Sequence, residues 1–283
     1  MNDKGKQPLI IGFISDLMFS SRLGDVALQL GFTVIWIEHS NQITDLNPDF
    51  FTRQYAEHMV GPGAILLEKI SAWSPSLIVF DLNNLDIPWR DWVALIKSVP
   101  ATRRIPVICF GSHMDVQTMQ AAQEAGANAV FARSRFVKEL PTIIQKYARL
   151  IDYTALEATC QIPLSAKALH GLELFNQSEY FEAHEILEEA WNEDDSPGRE
   201  LYRAILQVAV AYLQIQRGNY NGALKMFLRM RQWIDPLPDV CRGVDVERLR
   251  QDSFTVYKHL VDLGGQRIIE FDKRLLKTVK FKK

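Results

Sequence analysis

The stretch Pro75-Ser76-Leu77-Ile78-Val79-Phe80-Asp81 decides the fold of the first half of the chain. Consecutive apolar residues between a proline and a carboxylate read as a short strand buried on both faces. The same unit recurs on either side. Upstream, Leu9-Ile10-Ile11-Gly12-Phe13-Ile14 ends at Ser15-Asp16, and residues 32–37 form a β-branched and aromatic run. Downstream, Pro106-Val107-Ile108-Cys109-Phe110 and Ala129-Val130-Phe131-Ala132 complete the series. Helical patterns lie between them. Leu23, Val26, Ala27 and Leu30 are stopped by Gly31; after a polar, irregular stretch come residues 64–73, then 89–98, 115–124 and 136–150. This alternation predicts an α/β fold, a doubly wound five-stranded parallel sheet covered by helices on both faces.

At 283 residues the chain has room for two domains. A net charge of −2 exerts no global pull toward nucleic acid or membrane. No apolar run reaches the roughly 18 residues of a transmembrane helix, and residues 1–8 lack the apolar core of a signal peptide. Cys109, Cys160 and Cys241 are an odd, scattered set without a Cys-x-x-Cys pair. A reducing, cytoplasmic setting is the expectation.

Ligands of doubly wound folds bind at the carboxyl ends of the strands. Asp16 and Asp81 both follow a strand there. Two such carboxylates suit a hard cation such as magnesium, and equally suit strand-end turns, where Asp is common.

Residues 76–83, then Ile105-Pro106-Val107-Ile108-Cys109-Phe110-Gly111, then Ala125-Gly126-Ala127-Asn128-Ala129 resemble a response-regulator receiver domain, with its flavodoxin-like sheet, over residues 8–150. The resemblance implies two-component signalling and a phosphorelay. It matches Asp81 to the phospho-accepting aspartate and Asp16 to one of two acidic magnesium ligands, with Ser15 replacing the other. The departures are specific. Gly111 stands where receivers carry a switch Thr or Ser, and Ser112 is one place late. Arg133-Ser134 stands where they carry Lys-Pro. A forked guanidinium does not substitute for a compact ammonium. The expectation is a degenerate receiver that binds magnesium weakly and is phosphorylated poorly or not at all.

After residue 150 the alternation stops. Residues 151–163 read as a linker and 164–265 as a helical bundle. Residues 266–283 read as a basic, solvated tail, with an amphipathic docking element as the alternative. Ser165 and Ser178 are candidate caps for helices 166–176 and 179–193. A third helix, 201–216, carries Arg203, Gln207 and Gln214 through an otherwise apolar run that ends at Gln216, and Gly218 supplies its left-handed end. Helices at 220–233 and 245–263 complete a compact bundle.

His184 and Glu188 share a helix face. Polar groups on a buried helix need partners, so an Arg203–Glu188 contact is the expected bond, with Gln207 on the same stripe. One reading is an internal polar network that sets helix register, in which Glu188→Ala costs several kcal/mol. The other is a pocket with His184 as base or metal ligand. For zinc, His-x-x-x-Glu supplies two ligands where three are usual, and the second histidine of the zinc-protease motif is missing. His170 and His259 join only through tertiary folding.

Phe175, Tyr180-Phe181-Glu182-Ala183-His184-Glu185-x-Leu187-Glu188-x-x-Trp191, Arg203 with Gln207, and Arg217-Gly218-Asn219 with Gly222-Ala223 resemble the helical family called domain of unknown function 309, over residues 166–235. Its members carry the label of predicted metal-dependent hydrolases. A histidine typical of the family is Gln214 here, a poor transition-metal ligand.

The sequence thus points to a phosphorylation-independent regulator or adaptor, leaving enzymatic activity open, with a helical output domain and a protein partner on the receiver surface. The rivals are a metal-dependent hydrolase using His184, Glu185 and Glu188, and a conventional regulator switched at phospho-Asp81. A membrane role is not expected, and a nucleic-acid role rests on the basic tail alone.

Overall fold

The computed structural model describes residues 7–45 and 62–282. The polar stretch at 46–61, residues 1–6 and Lys283 lie outside the described residues. The chain divides between Leu150 and Ile151 into two compact units.

In the first unit, β1 (Leu9–Phe13), β2 (Thr33–Trp36), β3 (Leu77–Asp81), β4 (Val107–Gly111) and β5 (Ala129–Ala132) form one parallel sheet in the order β2-β1-β3-β4-β5. The side-chain period of two sorts each strand's residues between two cores. Ile10, Leu77, Val79, Ile108 and Phe110 pack on one face beneath α1 (Leu17–Gln29) and α6 (Arg133–Tyr147). Ile11, Ile78, Phe80, Val107 and Cys109 pack on the other, beneath α3 (Pro62–Trp73), α4 (Trp89–Ser98) and α5 (Val116–Glu124). Both faces are dry, which is why the strands read as continuous apolar runs. A short α2 (Gln42–Asp45) follows β2.

The strand order reverses between β1 and β3, which pair in register from Ile10↔Leu77 to Phe13↔Phe80. Asp81, the last residue of β3, therefore emerges beside the turn that holds Asp16. This switch point is where a doubly wound fold presents a crevice.

The second unit contains α7 (Tyr153–Cys160), α8 (Ala166–Asn176), α9 (Tyr180–Glu193), α10 (Glu200–Gln216), α11 (Tyr220–Ile234) and α12 (Val246–Leu263), with a small hairpin of β6 (Val240–Cys241) and β7 (Val244–Asp245). Ser165 caps α8 by accepting from the Ala168 amide at 3.1 Å. Gly218 takes the expected left-handed φ of 69°. Ser178 is not a cap: it sits at φ 67° in the turn before α9, and Glu179 occupies the cap position.

Two boundary expectations are corrected. Residues 151–163 are not a linker, because 153–160 form α7. Its first turn is capped by the Asp152 carboxylate, and Leu156 and Cys160 are buried. A disulfide joins Cys160 to Cys241, 81 residues apart, and the Arg242 amide donates to the Cys160 carbonyl at 2.6 Å. The cysteines are therefore not unpaired, and only Cys109 is free. The disulfide sits poorly with a strictly reducing compartment. Among the described residues, no helix is long and apolar enough to cross a membrane.

The basic tail is not frayed. Ile268, Phe271 and Val279 are buried. Val279 exchanges hydrogen bonds with the Asn176 side chain at 2.7 and 2.9 Å, and Phe281 bridges to Val244. Its apolar residues dock on its own unit, while Lys273, Lys277, Lys280 and Lys282 stay at the surface.

Closing a loop of this length restricts the unfolded chain by about 4–5 kcal/mol in free energy. Reductant, or Cys160→Ser, should lower the denaturant midpoint of the second unit accordingly. Equilibrium unfolding followed by tryptophan fluorescence, with and without dithiothreitol, measures it; coincident curves would show that the disulfide carries no stability.

Candidate functional sites

Two constellations stand out, one at the switch point of the sheet and one along α9 and α10.

At the switch point Asp81 is only 2% exposed. Its Oδ1 accepts from the Asn83 amide at 3.0 Å. Arg133, the first residue of α6, places Nη2 3.2 Å from both Asp81 oxygens. The guanidinium carbon also lies 5.0 Å from the Phe19 ring centroid. A carboxylate taken out of water needs a counter-charge, and this chain supplies it covalently from β5's exit.

The other pocket residues are committed elsewhere. Asp16 caps α1, its Oδ1 accepting from the Met18 amide at 2.9 Å and the Phe19 amide at 3.4 Å. Gly111 is backed by Leu82, whose Cβ lies 3.2 Å from where a Cβ on residue 111 would sit. A switch hydroxyl would crowd that side chain. Ser112 turns back on its own loop, its hydroxyl accepting from the Met114 amide at 3.3 Å.

This donor set does not suit a divalent ion. The side chain of residue 15 is a hydroxyl, and the Asp16 carboxylate is bound to amides of α1. A dication approaching Asp81 would meet a guanidinium already on it. Among the described residues, no group of three or more His, Cys, Asp or Glu is arranged to hold a metal.

On α9, His184 Nε2 lies 4.0 Å from Glu188 Oε2, with side chains 30% and 55% exposed. Glu185 is exposed. His184 and Glu188 therefore face neither an enclosed network nor Arg203. The expected Arg203–Glu188 contact is replaced by a nearer arrangement. Arg203 is 14% exposed, with Nη1 4.0 Å from Glu200 Oε2 one turn earlier on α10. Its guanidinium lies between two indoles, 4.3 Å from the Trp191 ring and 4.1 Å from the Trp233 ring. Arg199 covers Trp191 as well, at 4.8 Å. Cation–π contact with two partly desolvated rings replaces the ion pair expected with Glu188. Gln207 is buried one turn on, and its Oε1 has no hydrogen-bond partner in the protein.

Other residues of this stretch have packing reasons. Gly171 lets α8 approach α9: a Cβ there would lie 2.7 Å from Leu187 Cγ. Gln214 accepts from Asn219 Nδ2 at 2.7 Å, while Asn219 caps α11 through the Gly222 amide at 2.9 Å. The position of the family histidine is thus a turn clamp.

Sequence reasoning missed Arg242. It is 6% exposed, at φ 54°. Nη2 lies 2.7 Å from both Asp194 Oδ2 and Ser196 Oγ, and Nη1 3.0 Å from the Tyr202 hydroxyl. The acidic break Asp194-Asp195-Ser196 was the one local sign that a cation was required.

Residues 168–226 match the model of a domain of unknown function, DUF309. Response regulator Rcp1 of Synechocystis sp. is 27% identical over 147 residues, covering 51% of this chain and 90% of that protein.

The first half of the chain matches response-regulator receivers.

Solved structures resemble the chain more distantly. The phosphorylated cyanobacterial phytochrome response regulator RcpA aligns at 16% identity and TM-score 0.38, over 50% of this chain and 94% of its own. The Mn(2+)-bound form of Rcp1 aligns at 19% and 0.36, over 51% and 96%. The five-stranded parallel sheet agrees with the expectation from sequence.

The bundle geometry fixes a pair of outcomes. Arg203→Ala should destabilise the second unit by about 2 kcal/mol, and Arg203→Lys should recover only part of it. Glu188→Ala, at an exposed pair, should cost under about 0.5 kcal/mol. Urea denaturation of the three variants checks the ranking; a larger loss at Glu188 would restore the buried-network reading.

Proposed function

We propose that this protein is a response-regulator-like signalling adaptor whose receiver works without a phosphoryl switch. The observation that carries the proposal is the contact of Arg133 Nη2 with both oxygens of buried Asp81. In-line attack on a phosphodonor needs an Asp81 oxygen free to act as nucleophile and a cation free to neutralise the incoming phosphoryl group. Here the pocket's cation is already paired with the nucleophile. The glycine at 111, backed by Leu82, leaves no hydroxyl in place to report a phosphate.

The surface around the pocket supports a protein partner. Leu17 and Met18 after β1, Leu85 after β3, and Met114 and Val116 after β4 are all largely exposed at the carboxyl ends of the strands. Clustered exposed apolar groups mark association surfaces more than solvated ones. A receiver with this rim acts by docking, and the helical bundle is its output or second docking module. Stacked Arg203 and half-exposed His184 give that module a rigid face in place of a hydrolytic centre.

Incubation with acetyl phosphate and magnesium, followed by intact-mass measurement, should show no stoichiometric phosphate. A single added phosphate lost in Asp81→Asn would overturn the proposal. Arg133→Ala should destabilise the first unit by about 2 kcal/mol, since it leaves a buried carboxylate without its partner. An unchanged denaturation midpoint would mean that the pair does not hold Asp81 in place.

A further inference from the structure

We propose that the second unit docks on a second copy of this chain as a two-fold dimer. Phe181, Glu182 and Glu185 at the start of α9 in one copy meet Lys277, Lys280 and Lys282 of the basic tail in the other.

Both groups of side chains are exposed. Among the described residues, none of the three ammonium groups and neither carboxylate has an ion pair or side-chain hydrogen bond within the chain. Other surface charges of the unit are paired: Lys167 with Glu189 and Glu193, Arg248 with Asp252, Arg250 with Asp239, and Arg274 with Asp272. The uncompensated cations and anions are therefore gathered on two short stretches.

Both stretches are held in place by their backbones. The Asp245 amide donates to the Lys280 carbonyl at 2.9 Å, and the Lys282 amide donates to the Gly243 carbonyl at 3.0 Å. Val279 is buried and Phe281 partly so, and the extended period of two turns Lys280 and Lys282 to the other side. Phe181 and Glu185 are four apart on α9 and share a helical face. Phe181 is 47% exposed, an aromatic ring open to a lysine ammonium.

The two stretches also lie at one end of the bundle. Asn176, which holds Val279 at both its amide and its carbonyl, ends α8 and stands three residues before Glu179. A face that carries a cationic row and an anionic row is self-complementary under a two-fold rotation, where each row meets its opposite. Complementary charge of this kind selects the occupant. A net charge of −2 leaves no general repulsion between copies.

Sedimentation velocity on the full chain, at concentrations up to about 100 μM, tests the dimer. It should form at about 0.01 M salt and dissociate at about 1 M, where the screening length falls to about 3 Å. Lys280→Glu with Lys282→Glu, and separately Glu182→Lys with Glu185→Lys, should each weaken self-association at least about tenfold, the sum of several exposed ion pairs. Equal amounts of the two reversed chains should form a mixed dimer, because each then offers the charges the other lacks. Phe181→Ala should weaken the wild-type dimer several-fold. Circular dichroism checks that the variants fold; if one reversed chain does not, the other and Phe181→Ala decide. A monomer at low salt, undiminished dimerisation of the reversed chains, or a mixture that stays monomeric overturns the proposal. So does a chain that remains monomeric yet retards random duplex DNA through Lys280 and Lys282, which would assign the strand to a polyanion.

Discussion

A buried carboxylate at the carboxyl end of a central strand must have its charge answered, and the ion pair between Asp81 and Arg133 is that answer. Asp81 closes β3 at the point where strand order reverses, with apolar side chains beneath it. Water cannot solvate it there. The counter-charge comes from the first residue of α6 and is steadied by the Phe19 ring beside it. Asp16 then serves as a helix cap, and Gly111 yields its space to Leu82. The pocket keeps the shape of a receiver's crevice with the charge balance of a structural site.

The second unit solves a related problem. An almost wholly apolar helix, α10, carries an arginine and a glutamine into its core. Arg203 gives up most of its water and lies between the Trp191 and Trp233 rings. Three helices, α9, α10 and α11, are pinned by that one guanidinium, which touches an element of each. The His184–Glu188 pair, which reads in the sequence as the chemical centre, sits on a partly exposed helix edge. Much of this stretch is packing: Gly171 where α8 meets α9, the Gln214 amide clamped to Asn219 at a turn, and indoles for stacking. Arg242 does the same work at the far end of α9, drawing Asp194, Ser196 and Tyr202 around a buried guanidinium.

Legibility in the sequence followed the range of the interaction. The strands of the first unit were plain because burial on both faces of the central ones leaves apolar runs up to their carboxyl ends. The Ser165 cap and the Gly218 terminus were plain because both act within one turn. Ser178 was misread because a serine before a helix fits either a cap or a left-handed turn, and only the backbone distinguishes them. The 151–163 segment looked like a linker because α7 is short and owes its place to Cys241, 81 residues later. The basic tail looked solvated because its lysines dominate the composition. Its few apolar residues find their partners on α8 and β7, far back in the chain.

The sequence by itself determined the two architectures and the loss of a phospho-switch's usual residues, since strand runs, helix periods and the identities at 111 and 133 are local. It could not decide which charge meets which. Arg203 had Glu188 and Glu200 within reach by spacing, and the choice fell to two indoles brought in from α9 and α11. Asp81 and Arg133 stand 52 residues apart, and nothing local joins them. Only the folded sheet brings them together, burying the Asp81 carboxylate beside an Arg133 side chain that stays 34% exposed.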